Sequence, residues 1–83
     1  MSRRRKQLER LFSKPKDFEW SELRTLLTGF GYEEIGGAGS RVKFYEPESG
    51  SLLSLHKPHP SNIVKEYVLD QVIEVLEGRG IRP

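Results

Sequence analysis

Two histidines, His56 and His59, stand in the stretch His56-Lys57-Pro58-His59-Pro60. Imidazole is the side chain whose ordinary pKa lets it both take and give a proton near neutrality. Upstream, Arg41 and Lys43 lie two residues apart. A guanidinium makes two parallel hydrogen bonds to a phosphate, and an ammonium adds charge. Together these residue types suit cleavage of RNA without a metal. A base removes the 2′-hydroxyl proton, the oxygen attacks phosphorus, an acid protonates the leaving oxygen, and cations hold the extra negative charge. His56 is thus the candidate proton carrier, and His59, in a rigid Pro-His-Pro frame, its candidate partner. Ser40, Lys57 and Lys65 join Arg41 and Lys43 as candidate phosphate-binding residues. The competing reading makes Arg41 and Lys43 ordinary strand-surface charges and His56 the cap of its strand.

These groups act together only if the chain brings them together. Arg41 to Glu46 alternates, with Val42 and Phe44 on one side and Arg41, Lys43 and Tyr45 on the other. Ser51 to His56 alternates again, Leu53 and Leu55 opposing Leu52, Ser54 and His56. Pro47-Glu48-Ser49-Gly50 reads as the hairpin turn between them. A four-residue loop pairs Glu46 with Ser51, Lys43 with Ser54 and Arg41 with His56. Directly opposed residues point to the same side, ~5 Å apart. The alternation therefore predicts an antiparallel sheet with one apolar face under helices and one open cationic face. Tyr32 to Ile35 is a further short strand, and Gly36-Gly37-Ala38-Gly39-Ser40 a flexible turn. Gly-rich loops can aim backbone N–H groups at phosphate. This one lacks the Lys-Ser/Thr ending of a nucleotide P-loop, and a tight connection is the simpler reading.

Three amphipathic stretches supply the helices. Arg3 to Ser13 places Leu8, Leu11 and Phe12 on one face, and Pro15 breaks it. From about Glu19 to Thr28, Trp20, Leu23, Leu26, Leu27 and Phe30 form an apolar stripe. Asp17 or Glu19 stands at its start, and Gly29 and Gly31 end it. From about Lys65 to Glu77, Val68, Leu69, Val72, Ile73, Val75 and Leu76 fill one face, and Gly78 and Gly80 close the helix. Glu66, Asp70, Glu74 and Glu77 fall within one quarter of that helical wheel. That acidic stripe must face water or a basic partner. The predicted order is α-α-β-β-β-α, an α+β fold.

A chain of 83 residues accommodates one domain. No unbroken apolar run exceeds three residues, against the ~20 needed to span a bilayer. With 0 Cys there is no disulfide framework, Cys-based zinc site or thiol nucleophile. Two histidines alone do not make a structural zinc site. Arg3, Arg4, Arg5 and Lys6 are not followed by an apolar segment, so the expectation is no signal peptide and a cytoplasmic location. The net charge of +2 divides unevenly: residues 1–16 carry +6 and residues 17–83 carry −4. The high pI is thus a property of the N-terminal arm. The arm reads either as a solvated extension or as a phosphate-contacting one. The expected organisation is a basic, partly helical extension over residues 1–16 and a folded domain over 17–83.

Several short motifs, in order, resemble the HicA toxin family. They are Leu26-Leu27-Thr28-Gly29-Phe30-Gly31-Tyr32, then Gly39-Ser40-Arg41-Val42-Lys43-Phe44, then His56-Lys57-Pro58-His59-Pro60 and the closing helix to Gly80-Ile81. The resemblance covers roughly residues 19–81. It implies a fold similar to a double-stranded-RNA-binding domain, α-β-β-β-α, here with an extra N-terminal helix. It also implies an mRNA-cleaving toxin of a type II toxin–antitoxin pair, silenced by a HicB-type antitoxin, with no metal or organic cofactor. The family's catalytic His follows the Gly-Ser pair, where this chain has Arg41. A guanidinium stays protonated and cannot act as a general base. Either His56, across the hairpin, has taken over proton transfer, making the chain a metal-independent endoribonuclease, or the chain binds RNA without cutting it. A third reading is a protein-interaction domain that docks a basic partner on the acidic stripe.

Overall fold

Alternation in the central hairpin decides which side of the sheet the helices cover. In the computed structural model, which describes residues 3–36 and 39–83, the elements are α1 (Arg3–Phe12), α2 (Trp20–Gly29), β1 (Glu33–Ile35), β2 (Arg41–Glu46), β3 (Ser51–His56) and α3 (Glu66–Gly78). This is the predicted α+β order. Gly37 and Ala38 of the Gly-rich turn lie outside the described residues. The sheet runs β1-β2-β3, with both pairs antiparallel. Arg41 stands opposite His56, Lys43 opposite Ser54 and Glu46 opposite Ser51, the register that the four-residue loop predicts. Phe44, Leu53 and Leu55 are buried, whereas Arg41, Lys43, Leu52 and His56 are exposed. The covered face packs on α2 and α3 through Leu23, Leu26, Leu27, Leu69, Val72 and Leu76, with the Trp20 ring 6.0 Å from that of Phe44.

α1 joins the same core, since Leu8 and Leu11 are buried among these residues. Charge fixes its position. Arg10 donates from Nε to Glu22 Oε2 at 2.9 Å and from Nη2 to Glu22 Oε1 at 3.1 Å and Asp17 Oδ1 at 3.2 Å. Glu22 also accepts the Glu19 N–H at 2.8 Å, closing the first turn of α2. Of the two acids expected at the start of α2, Glu19 is therefore the capping residue. The Arg10 hydrogen bond, ahead of the other contacts, holds the Glu22 carboxyl below its ordinary range. Lys14 reaches Asp70 on α3. α2 ends at Gly29, the expected stop, and of the two glycines Gly31, at φ +94°, takes the left-handed conformation. Gly29 also matters for space: a Cβ there would lie 2.9 Å from Arg4 Nε.

Strand alternation puts position 46 on the covered face, and the residue there is a glutamate, only 3% exposed. Its carboxylate accepts the Ser49 hydroxyl, the Ser49 N–H at 2.7 Å and the Glu48 N–H at 3.0 Å. The Gly50 N–H donates to the Glu46 carbonyl at 2.9 Å, with Gly50 at φ +72°. Arg79 Nη2 approaches the same carboxylate at 3.6 Å, and its guanidinium lies 5.2 Å above the Tyr32 ring. One buried acid thus closes the hairpin turn and ties it to the end of α3.

Two outcomes follow from this packing. Leu11→Ala should cost ~2–5 kcal/mol, the range for a buried Leu losing its side chain. Denaturant unfolding would measure it, and a loss below 0.5 kcal/mol, on the order of a surface substitution, would mean that α1 does not share the core. For Glu46, the Ser49 hydrogen bonds lower the acid's pKa in the fold. Its contribution is complete above the ordinary value of 4.5 and is lost as pH falls through the folded value. Glu46→Gln should therefore lower the unfolding midpoint at neutral pH and flatten its decline on acidification. Parallel wild-type and variant pH curves would contradict this.

Candidate nucleic-acid interface

Two surfaces meet at the end of β3. The first is the open sheet face, where Arg41 and His56 are cross-strand partners beside the pair Lys43 and Ser54. β1 adds Ile35, which is opposite Lys43, and Glu33, which is opposite Tyr45. The second is a cleft of about 260 Å³ lined by Ser40, His56, Lys57, Pro58, His59, Lys65, Tyr67 and Val68. His56 belongs to both.

The local chain path explains how distant residues reach this cleft. The Lys57 N–H donates to the Ser40 carbonyl at 2.7 Å, fastening Ser40 to the end of β3. Pro58 and Pro60 prevent strand continuation, so the chain leaves the sheet with His59 exposed. It then runs beside the start of α2: the Trp20 N–H donates to the Asn62 carbonyl and the Val64 N–H to the Phe18 carbonyl, both at 2.8 Å. This contact sets the start of α3, with Lys65 as its capping residue. The positive end of the helix dipole therefore opens at the cleft. Two lysines line the cleft and no carboxylate does, among the described residues.

Five of the seven sequence-derived candidates, Ser40, His56, Lys57, His59 and Lys65, thus share one concavity. Arg41 and Lys43 do not line it and stand on the adjoining sheet face. Tyr67 was not among the candidates. It is 58% exposed and lines the cleft one residue past the start of α3. The signal was an aromatic residue off the apolar stripe that begins with Val68 and Leu69. The acidic stripe of α3 is exposed, and Asp70 within it already pairs with Lys14 of the same chain. No helix among the described residues is long and apolar enough to cross a membrane.

Fold and site together define a small α+β protein with a half-covered sheet and a cationic, histidine-bearing corner. A family model described as the HicA toxin of bacterial toxin–antitoxin systems matches residues 20–77, well over half of the chain. The chain belongs to the HicA toxin family and is a toxin of a toxin–antitoxin system. No curated protein and no solved structure matches it. The matched stretch contains α2, the whole sheet and the cleft, and leaves α1 outside.

Proposed function

We propose that this toxin binds mRNA at the corner between the sheet face and the cleft and cleaves it without a metal. The observation that carries the proposal is the hairpin register, which makes Arg41 and His56 neighbours on one face while His56 also lines the cleft. In this reading His56 takes the 2′-hydroxyl proton and His59 is the candidate donor to the leaving oxygen. Arg41 and Lys43 hold the phosphate from the sheet side, and Ser40, Lys57 and Lys65 hold the backbone from the cleft side. Charge accumulating on the phosphate in the transition state is met by fixed cations, which is the electrostatic part of the acceleration. The silencing partner is an antitoxin of the HicB type that covers this corner, and the compartment is the cytoplasm.

The residue at position 41 favours a second reading. The Gly-Ser pair is followed by Arg41, and a guanidinium does not supply base catalysis. On that reading the corner binds RNA and leaves it intact. Purified protein incubated with RNA in EDTA separates the two. Cleavage should persist in the chelator, fall ~10²–10⁴-fold in His56→Ala, the usual contribution of a general acid or base, and fall ~10²–10³-fold in Arg41→Ala, as when one charge-stabilising donor is lost. Cleavage that survives removal of both histidines rejects the assignment of roles. RNA that binds and stays whole supports the second reading.

A further inference from the structure

A second cationic cleft lies far from the first. Arg4, Arg5, Leu8, Phe30, Arg82 and Pro83 line a space of about 410 Å³, with no Asp or Glu side chain among the lining residues described, although Arg5 pairs with Glu9 one turn along α1 at 3.7 Å. Apart from Phe30, its walls come from segments outside the matched stretch 20–77. Segments far apart in the sequence build it together: α1 supplies one side and the residues after α3 the other. It is distinct from the cleft at His56, which opens at the start of α3, because Arg82 follows the end of that helix. The 13 residues of α3 separate the two by ~20 Å.

Internal pairing sorts the basic residues of the arm. Arg10 and Lys14 are committed to Glu22, Asp17 and Asp70, and they hold α1 on the core. Arg4 is held differently. Its guanidinium lies 5.6 Å over the Phe30 ring, and the missing Cβ of Gly29 leaves room for it. Stacking on a ring orients the guanidinium without neutralising it. Arg4 and Arg82 form no ion pair among the described residues, and two like charges brought to one cleft favour an anion between them.

We infer that this cleft is a second binding site for the phosphodiester backbone of the RNA, with Arg4 and Arg82 as its phosphate contacts. The inference rests on the RNA reading above and adds to it: one strand contacts the protein at both ends of α3. Phosphate contacts carry no base information, so this site contributes affinity and strand placement, and sequence preference belongs to the other cleft.

The test is the salt dependence of binding, measured by fluorescence anisotropy on the full chain. The probes are a 2′-O-methyl dinucleotide and a longer 2′-O-methyl single strand, neither of which offers a 2′-hydroxyl for cleavage. Each lost phosphate contact should reduce the log–log salt slope by ~0.7 for a single strand. For the longer strand, Arg4→Gln/Arg82→Gln should weaken binding and make the slope shallower by ~1.4. Arg82→Gln alone, beyond the last helix, should give half of that with the fold untouched. Arg4→Lys should restore most of the slope in the Arg4 variants. Lys57→Gln/Lys65→Gln should weaken the dinucleotide as well as the longer strand. A wild-type slope in Arg4→Gln/Arg82→Gln, with binding still lost in Lys57→Gln/Lys65→Gln, overturns the second site and leaves the RNA reading standing. Weaker binding with an unchanged slope also overturns it, because a structural loss then explains the effect. Absence of RNA binding by the wild type overturns both.

Discussion

The two-residue pleat of the β2–β3 hairpin sets both faces of the molecule at once. Phe44, Leu53 and Leu55 enter the core in the same register that leaves Arg41, Lys43 and His56 outside. A slip of one residue would bury the cations and expose the rings and branched chains. Hydrophobic burial alone thus resists any register in which Arg41 and His56 part company. The turn adds a second constraint. Glu46 accepts bonds from Glu48 and Ser49, so the loop length is fixed by a buried carboxylate as well as by the backbone. Once the carboxylate is desolvated, leaving it without these donors would be costly. That gives the hairpin a polar lock inside an apolar frame.

Charge follows a related division of labour. The +6 of residues 1–16 faces the −4 of the remainder, and part of that difference is spent inside the fold. Arg10 binds two acids at the start of α2, and Lys14 binds the acidic stripe of α3. Exposed pairs of this kind each contribute little. Their effect is to orient α1 once Leu8 and Leu11 have been buried. Arg24 and Arg79 likewise pair with Glu34 and Glu46, whereas Lys57 and Lys65 line the His56 cleft and Arg4 and Arg82 the other one. A protein with a modest net charge therefore presents locally basic surfaces, and a calculation from overall pI would miss where they are.

The hairpin and the helices were legible because their signals are periodic and local. Val42 and Phe44 alternate with Arg41 and Lys43, and Pro47 to Gly50 fixes the loop length, so the register of Arg41 and His56 followed from counting. Other features depend on contacts between distant segments. The strand pattern gives Glu46 no role beyond its pairing with Ser51, because its burial depends on residues distant in the sequence, Arg79 among them. Gly29 read as a helix stop and is the last residue of α2, but that it also makes room for an arginine 25 positions earlier in the chain was not legible. Tyr67 was passed over because the helix period assigns it to the polar side, and its place beside His56 depends on the path of residues 57–65. Of the site, the residue types and the cross-strand pair were readable. The cleft that gathers Ser40, His59 and Lys65 was not.

The arginine at position 41 shapes how any chemistry here would proceed. A proton carrier must come within ~2.6–3.2 Å of the proton that it moves. Cross-strand neighbours are ~5 Å apart, so moving that role from position 41 to position 56 shifts the reacting phosphate by about one strand spacing. The phosphate would then sit over the outer edge of the sheet, since β3 is an edge strand. That is also where the cleft begins, with Lys57 and His59 just beyond the strand end and the start of α3 opposite. A guanidinium at position 41 is well suited to the vacated place, where it can grip the phosphate from the sheet side without competing for the proton. On the proposed reading, the guanidinium at position 41 and the location of the cleft favour the same corner, and a strand held there would turn from the open face around the end of β3.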